Sequence, residues 1–414
     1  MSVSSFSILA AYLAVVLCGY GLEYLELSYL NQYGGTIPPE FRGSIEQSFL
    51  DRSRNYTIDS MRLEVVSSGF DSVLIVLFFF AGVLNVYNSW IVSLRLNAIV
   101  SGVVFFMLLV YADTFLTIPF GIYRTFRIER KYGFNTMTAG LWIADLVKSM
   151  LLSTVLLSLI ISAGLWLIAE SPLHWWLWTW LLFLVFGIFM MYLSPYVIEP
   201  LFNKFSPIED EALKSGIRAL TRKVGVRISK VLRMDASKRT RHTNAYFTGI
   251  GRVKRVVLFD TLIGTMSTGE ILAVLGHELG HWKKRHVFKQ LVLMEAVSMA
   301  VLYVSFRLMQ GDFLLDLFHI GAGTVFAKIV ILGLLGTIAA FPFSPLFNLF
   351  SRRHEREADL FACRLTGSSS DMIGALIKLS KDNLSNLHPH PLYSIFYYSH
   401  PPVIERIKYI KGAA

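Results

Sequence analysis

His277-Glu278-Leu279-Gly280-His281 spells H-E-x-x-H, a pattern expected roughly 0.01 times by chance in a chain with 10 histidines. On an α-helix, residues four apart stand about 40° from one another, so both imidazoles reach a single metal ion. Glu278 lies about 100° round from His277, beside such an ion, where a general base for an attacking water belongs. Two neutral nitrogen ligands with an adjacent carboxylate are the equipment of metal-assisted hydrolysis, and one Zn2+ is the expected cofactor. The plainer reading, two surface histidines on an ion-paired face, fits poorly with Ile271, Leu272, Val274 and Leu275 on the same helix.

A catalytic zinc takes three protein ligands and leaves one position open. Trp282-Lys283-Lys284-Arg285-His286 follows the motif, so no H-x-x-G-x-x-H continuation supplies the third. No Gly or Pro interrupts Trp282–Met294, so the helix is expected to run on, which puts the next acid, Glu295, roughly 21 Å away. Further along, Glu355 and Asp359 share a helix face at i, i+4. Glu355 is the expected third ligand, with Asp359 accepting a hydrogen bond from a ligand histidine. Glu357 points away from that face and reads as an exposed, ion-paired charge; His354 reads as a neighbour and not a ligand, and Cys363 as a small buried hydrophobe.

Two segments look placed to serve such a site. Thr243–Gly249 reads as a strand, Ile250-Gly251 as a turn and Arg252–Phe259 as a second strand. Asn244, Ala245 and Tyr246 then offer an edge with which an extended peptide can pair, the alternative being a hairpin that only packs the helix. Pro401-Pro402 starts a helix and leaves His400 on a rigid loop before it, where an imidazole can donate to an oxyanion.

These residues need elements to hold them. Ser267-Thr268-Gly269-Glu270 is a capping box that opens the H-E-x-x-H helix. The rest of the chain is unusual: of 414 residues 54% are apolar and 16% charged, against about 25% charged in a soluble domain, so much of its surface is buried in something other than itself. That composition excludes a disordered, collagen-like or disulfide-scaffold protein, and two distant cysteines, Cys18 and Cys363, make neither a disulfide framework nor a thiolate metal site. Seven apolar windows have spanning length: Phe6–Leu27, Phe70–Val92, Ile99–Phe120, Asp145–Ala169, Leu173–Ile198, Gln290–Met309 and Ile320–Phe341. No Lys or Arg precedes the first, which reads as a retained anchor and not as a cleaved signal peptide.

The net charge of +10 sorts by loop. Of 39 basic residues, 4 fall between spans one and two, 5 between three and four (counting Lys148 at a span edge), 18 over Lys204–Lys289 and 9 after span seven. Arg95, Arg307 and Lys328 are the exceptions. This asymmetry puts the N-terminus outside and the C-terminus in the cytoplasm. Lys230–Arg241 and Lys283–Arg285 read as solvated or lipid-facing charge, and nucleic acid is not an expected partner. The expected organisation is five spans over 1–200, a soluble segment with the H-E-x-x-H helix and edge strand over 201–288, spans six and seven over 289–345, and a second soluble segment over 346–414.

Jointly, His277–Trp282 (H-E-L-G-H-W), Glu355–Asp359 (E-x-x-x-D), Asn244-Ala245-Tyr246, the Ser399–Arg406 run (S-H-P-P-x-x-E-R) and the seven spans resemble the Ste24 CAAX prenyl protease family of M48 zinc metalloproteases, over essentially the whole chain. The resemblance implies a polytopic α-helical membrane protein, its seven helices forming a barrel around an intramembrane chamber, with a zincin-like α+β protease domain. It implies His277, His281 and Glu355 on zinc, Glu278 as base, Asp359 behind a ligand, Asn244–Tyr246 pairing with substrate, and His400 with Arg406 supporting the transition state. The implied substrate is a peptide or lipidated protein, cut near a prenylated CAAX end in contact with membrane lipid, and a monomer is expected. An HtpX-like quality-control metalloprotease indifferent to prenyl groups is the alternative. The chamber would accommodate Glu23, Glu26, Asp71, Asn85, Asn88, Asp113, Asp145, Lys148 and Lys328, which fall in or beside spans. Helix-end snorkelling is the simpler account of Glu23, Glu26 and Lys148, and Lys328 is assigned to a pair with Asp71 or Asp113. Short loops and a Lys411–Ala414 tail without an ER-retrieval signal favour a bacterial inner membrane over the endoplasmic reticulum.

Overall fold

The structure is a computed structural model that describes residues 3–248 and 253–413; the expected turn at Ile250-Gly251 lies outside the described residues. Among the described residues, seven helices are long and apolar enough to cross a bilayer. The first five spans come from α1 (Val3–Tyr33), α2 (Gln47–Phe80), α4 (Ala98–Tyr123), α5 (Ala139–Glu170) and α6 (Trp175–Leu193), with α3 (Val83–Ser93) following α2. The expected single span Phe70–Val92 is in fact two helices, because Gly82 takes a left-handed φ of 85° at the α2–α3 junction. An uninterrupted apolar run hides such a break. At about 1.5 Å per residue, the 34 residues of α2 reach about 51 Å, well beyond a hydrocarbon core of about 30 Å, so one end stands clear of the membrane. Leu50 near that end joins Phe41, Met372 and Ile407 in a core shared with the protease domain. Pro195 lies in a π-helical turn, Ser194–Ile198, that leads from α6 into the short α7 (Glu199–Phe202).

The most apolar window of each spanning helix is only 0–22% buried. Helices closed into a solid bundle would each bury a face; these stand as staves around an intramembrane chamber. Several polar residues expected in that chamber instead fasten its parts. Asn88, fully buried, donates to the Ala322 carbonyl at 2.8 Å and accepts from Thr324. Glu26, fully buried and not at a frayed helix end, accepts from Asn386 Nδ2 and the His390 amide, each at 2.6 Å. Arg239 grips Asp145 through two hydrogen bonds of 2.8 and 3.1 Å.

The protease domain opens with β1 (Phe205–Pro207), α8 (Glu211–Lys223), β2 (Arg227–Met234), β3 (Ala245–Thr248), β4 (Val253–Phe259), α9 (Asp260–Thr265) and α10 (Thr268–Lys283). The sheet runs β1-β2-β4-β3, with β2 and β4 parallel and β3 antiparallel to β4, so β3 is an edge strand. Val256 and Leu258 of β4 pack with Ile217 and Leu220 of α8 and with Leu275 and Leu279 of α10. Thr268–Lys283 is helical because both halves of the capping box form: Glu270 N–H donates to Ser267 Oγ, and Ser267 N–H to Glu270 Oε2 at 2.7 Å.

The expected continuous helix past Trp282 does not exist. α10 ends at Lys283, Arg285 takes a left-handed φ of 58°, and α11 (His286–Met309) sets off in a new direction as span six. Three consecutive cations, Lys283-Lys284-Arg285, mark where a buried helix must reach water, a breaker that a search for Gly and Pro overlooks. α12 (Phe313–Leu317) leads to α13 (Val325–Ala340), which carries span seven. Lys328 on α13 pairs with neither Asp71 nor Asp113. Its ammonium donates to the Met309 and Gly311 carbonyls at 3.2 and 2.9 Å, satisfying the end of α11. After a 3₁₀ turn at Phe341–Phe343, α14 (Ser344–Thr366) extends span seven into the protease domain, where α15 (Ser369–Asp382), α16 (Pro391–Tyr397) and α17 (Val403–Ala413) complete it.

Candidate metal centre

Two glycines bring the ligand helices together. A Cβ on Gly280 of α10 would sit 3.0 Å from the Ala358 Cα, and one on Gly276 would sit 3.3 Å from the Ala362 Cα, both on α14. With hydrogens and alanine methyls at the crossing, the two backbones approach closely enough for side chains one turn away to meet. His277, His281 and Glu355 do so, each offering a ligand atom within 4.8 Å of the others.

The donor set fits a tetrahedral ion. Ligands at about 2.0–2.1 Å from a tetrahedral centre are spaced about 3.3 Å apart. Here His277 Nε2 and His281 Nε2 are 3.1 Å apart, His281 Nε2 and Glu355 Oε1 3.2 Å, and His277 Nε2 and Glu355 Oε2 3.3 Å. Two imidazole nitrogens facing each other cannot both carry hydrogen, and a cation between them resolves the conflict. Glu355 Oε2 is buried and crowded by nitrogens of His277 and His400, yet it makes no aligned hydrogen bond, as suits a metal-ligating oxygen.

His277 is held from behind. Its Nδ1 donates to Asp359 Oδ1 at 2.8 Å, and Asp359 is fully buried. Burial opposes charge on His277, but the hydrogen bonds to Asp359 and Glu355 prevail and push its pKa up to about 9. The pocket thus favours positive charge between its carboxylates, which a proton or a divalent cation supplies. Arg406 clamps Asp359 from α17, Nε to Oδ2 at 2.8 Å and Nη2 to Oδ1 at 2.6 Å. Its 3.4 Å approach to His277 Nδ1 is a contact and not a second hydrogen bond, since that nitrogen's proton is committed to Asp359. Arg406 therefore sits behind the ligands, whereas His400, mostly exposed, comes within 2.7 Å of Glu355 Oε2 on the open side.

The other expected residues converge on one cleft of about 130 Å³, lined by Asn244, Ala245, His277, Glu278, Glu355, His400 and Arg406. Glu278 is half-buried, and no hydrogen bond among the described residues holds its carboxylate. Asn244 accepts the Phe259 amide at 3.1 Å and turns its side-chain oxygen to the Ala245 amide, fixing the start of β3. Tyr246 points elsewhere: its hydroxyl donates to Glu199 Oε2 at 2.7 Å, and burial with that contact holds its phenol well above the usual range. Glu295 is not in the cluster; its carbonyl accepts from Trp180 Nε1 within the membrane region. His354 stacks on His286 and lies outside the His277, His281 and Glu355 cluster; Glu357 is exposed as expected but accepts from His286 Nε2 at 3.2 Å. His286, Gly276 and Gly280 were not singled out from sequence, although a histidine five past a metal ligand and small residues one turn apart on the motif helix were signals of both.

Residues 26–204 match the family described as the CAAX prenyl protease N-terminal region of five membrane helices, and residues 207–414 match peptidase family M48. CAAX prenyl protease 1 of Saccharomyces cerevisiae is 32% identical over 90% of this chain and 87% of its own. The Arabidopsis thaliana homologue of that protease is 32% identical over 94% of both chains, and the metalloprotease YhfN of Bacillus subtilis 30% identical over 97% of this chain and 96% of its own. The crystal structure of S. mikatae Ste24p superposes with a TM-score of 0.91 at 30% identity, covering 99% of each chain. With helices, fold and ligand geometry in agreement, the chain belongs to the CAAX prenyl protease family of M48 peptidases and is a multi-pass membrane metalloendopeptidase.

Proposed function

We propose that this protein is a zinc endopeptidase that cuts peptides or lipidated proteins near a membrane-held C-terminal end, prenylated CAAX sequences being its substrate class. The observation that carries the reading is the edge strand β3, which starts in the same cleft as His277, Glu278 and Glu355. An extended peptide pairing along Asn244–Tyr246 lays its backbone across the cleft while a lipid tail stays in the bilayer region. His277, His281 and Glu355 would hold the zinc, which when bound would supply Lewis acidity toward water and a peptide carbonyl. Glu278 takes the proton from the attacking water and delivers it to the leaving amine as the C–N bond breaks, so the base returns to its starting form. His400 donates to the oxygen that becomes negative, and Arg406 acts through Asp359 by fixing the His277 ring. All three ligands come from one chain, which suits a monomer. Charge asymmetry of the loops supports a protease domain and C-terminus in the cytoplasm and an N-terminus outside, and the short loops suit a bacterial inner membrane. The chain divides into spans over 1–200, a soluble segment over 201–288, spans over 289–345 and a second soluble segment over 346–414, with Phe41, Ile45 and Leu50 of the first joining the protease core.

Glu278→Gln should lose about 10²- to 10⁴-fold in cleavage while zinc content and melting temperature stay at wild-type values. Substantial retained activity would remove Glu278 as the base. Running the assay with a prenylated CAAX peptide beside its unprenylated twin, with and without a chelator, separates the substrate class from the chemistry. Equal cleavage of both peptides would rule out prenyl recognition and leave a general membrane metalloprotease.

A further inference from the structure

The two histidine ligands are backed by different means. His277 reaches a carboxylate directly, whereas behind His281 stands another imidazole: His286 Nδ1 lies 3.2 Å from His281 Nδ1. His286 Nε2 in turn lies 3.2 Å from Glu357 Oε2. In an unbroken helix, residues five apart point about 140° away from each other and could not meet. The left-handed turn at Arg285 swings His286 back over His281. His286 is then locked: it is 2% exposed, and His354 stacks on it with ring centres 4.1 Å apart and planes at 11°. Glu357 is half in solvent, with its side chain 49% exposed and the charges of Lys284 and Lys289 acting on it.

We propose that His286 and Glu357 are positioning residues, forming a one-way hydrogen-bond relay that fixes the metal-facing tautomer of His281 and slows loss of the ion. The inference rests on the reading of His277, His281 and Glu355 as the zinc site. His281 Nε2 faces His277 and Glu355, so the ring hydrogen of His281 resides on Nδ1. Nδ1–H donates to His286 Nδ1, which must then be the acceptor nitrogen, and His286 carries its own hydrogen on Nε2. That hydrogen needs an acceptor, and Glu357 provides one that cannot donate while it is ionised. A chain ending in a carboxylate therefore runs in one direction only and leaves the His281 Nε2 lone pair on the metal side, as Asp359 does for His277.

The test uses the full-length, zinc-loaded protein in detergent and follows zinc release into excess EDTA. Glu357→Ala, a half-exposed site that tolerates truncation, should release zinc roughly 10- to 100-fold faster than wild type. Glu357→Gln keeps an oxygen that accepts from His286 Nε2–H and should stay within about threefold. His286→Phe fills the volume without a nitrogen and should match Glu357→Ala. The melting temperature of zinc-free Glu357→Ala should equal that of zinc-free wild type, which separates metal retention from folding. Release from Glu357→Ala at the wild-type rate, with wild type holding one zinc, overturns the relay alone. Wild type that retains no stoichiometric zinc overturns the metal-site reading and the relay together.

Discussion

At the candidate metal centre, α10 and α14 approach until a Cβ on Gly280 would sit only 3.0 Å from the Ala358 backbone, while in the membrane no spanning helix among the described residues buries more than 22% of its most apolar window. The first region is close-packed, and it brings the three proposed ligand atoms within 4.8 Å of one another. The second is loose because bilayer and chamber, and not neighbouring helices, cover its side chains. The same polar residue types consequently do different work in the two places. Around the ligands, carboxylates and imidazoles are aimed at one another; in the spans they tie helix ends and loops, as Lys328 and Asn88 do.

That contrast predicts very unequal responses to mutation. The largest is expected from Gly280→Val. A branched side chain has nowhere to go against the Ala358 backbone, so the helices must part, at a cost of about 1–3 kcal/mol for overpacking. A ligand shift of about 1 Å would cost about 10²-fold in activity, so both zinc content and cleavage should fall sharply. Retention of full zinc by this variant would show that the close crossing is not what assembles the site.

An intermediate effect is expected at His242, where the two regions meet. Its Nδ1 lies 2.9 Å from Asn383 Oδ1, its Nε2 3.3 Å from Glu129 Oε2, and its ring stacks on Phe134. Burial disfavours charge there, but the hydrogen bonds to Glu129 and Asn383 outweigh it and raise the pKa. A raised histidine pKa means that the charged form stabilises the fold. The contribution is complete below the unfolded value of about 6.5 and is lost as pH rises through the higher folded value. Melting temperature should therefore fall as pH rises above about 6.5, and His242→Gln should flatten the fall. A variant with the wild-type pH dependence would assign the slope to other groups.

The smallest effect belongs to Lys328→Met. Losing two hydrogen bonds to the end of α11 and an exposed pair with Asp312 should lower stability by about 1 kcal/mol and leave cleavage unchanged. A pronounced drop in activity would instead make Lys328 a working charge of the chamber and weaken the contrast drawn above.

The parts of the site that were readable in sequence are those governed by a period. H-E-x-x-H and E-x-x-x-D each declare one helix face, and the capping box at Ser267 declares where the first of those helices starts. Hydropathy over about 20 residues found seven spans for the same reason. What escaped were single-residue events. The reversal at Arg285 is one φ angle on a residue that seldom adopts it, so helix periodicity gave no sign that His286 meets His281. The break at Gly82 hides in an apolar run, and Lys328 is met by the Met309 and Gly311 carbonyls and by Asp312 at 3.6 Å in the turn after α11, not by the acids of α2 and α4. Glu357 was assigned correctly to the exposed face, yet the turn that brings His286 to that face gives it a partner.

The passage of span seven into α14 has a consequence for the protein as a unit of inheritance. Glu355 rides on the extension of one span, while His277 and His281 precede another, α11, by only a few residues. No contiguous piece of chain contains the three ligands without two membrane crossings between them. The protease domain is therefore not a cassette that a single insertion can transplant onto another anchor or release as a soluble enzyme. Membrane residence and the metal centre are encoded in the same helices, and the gene can keep or lose them only together.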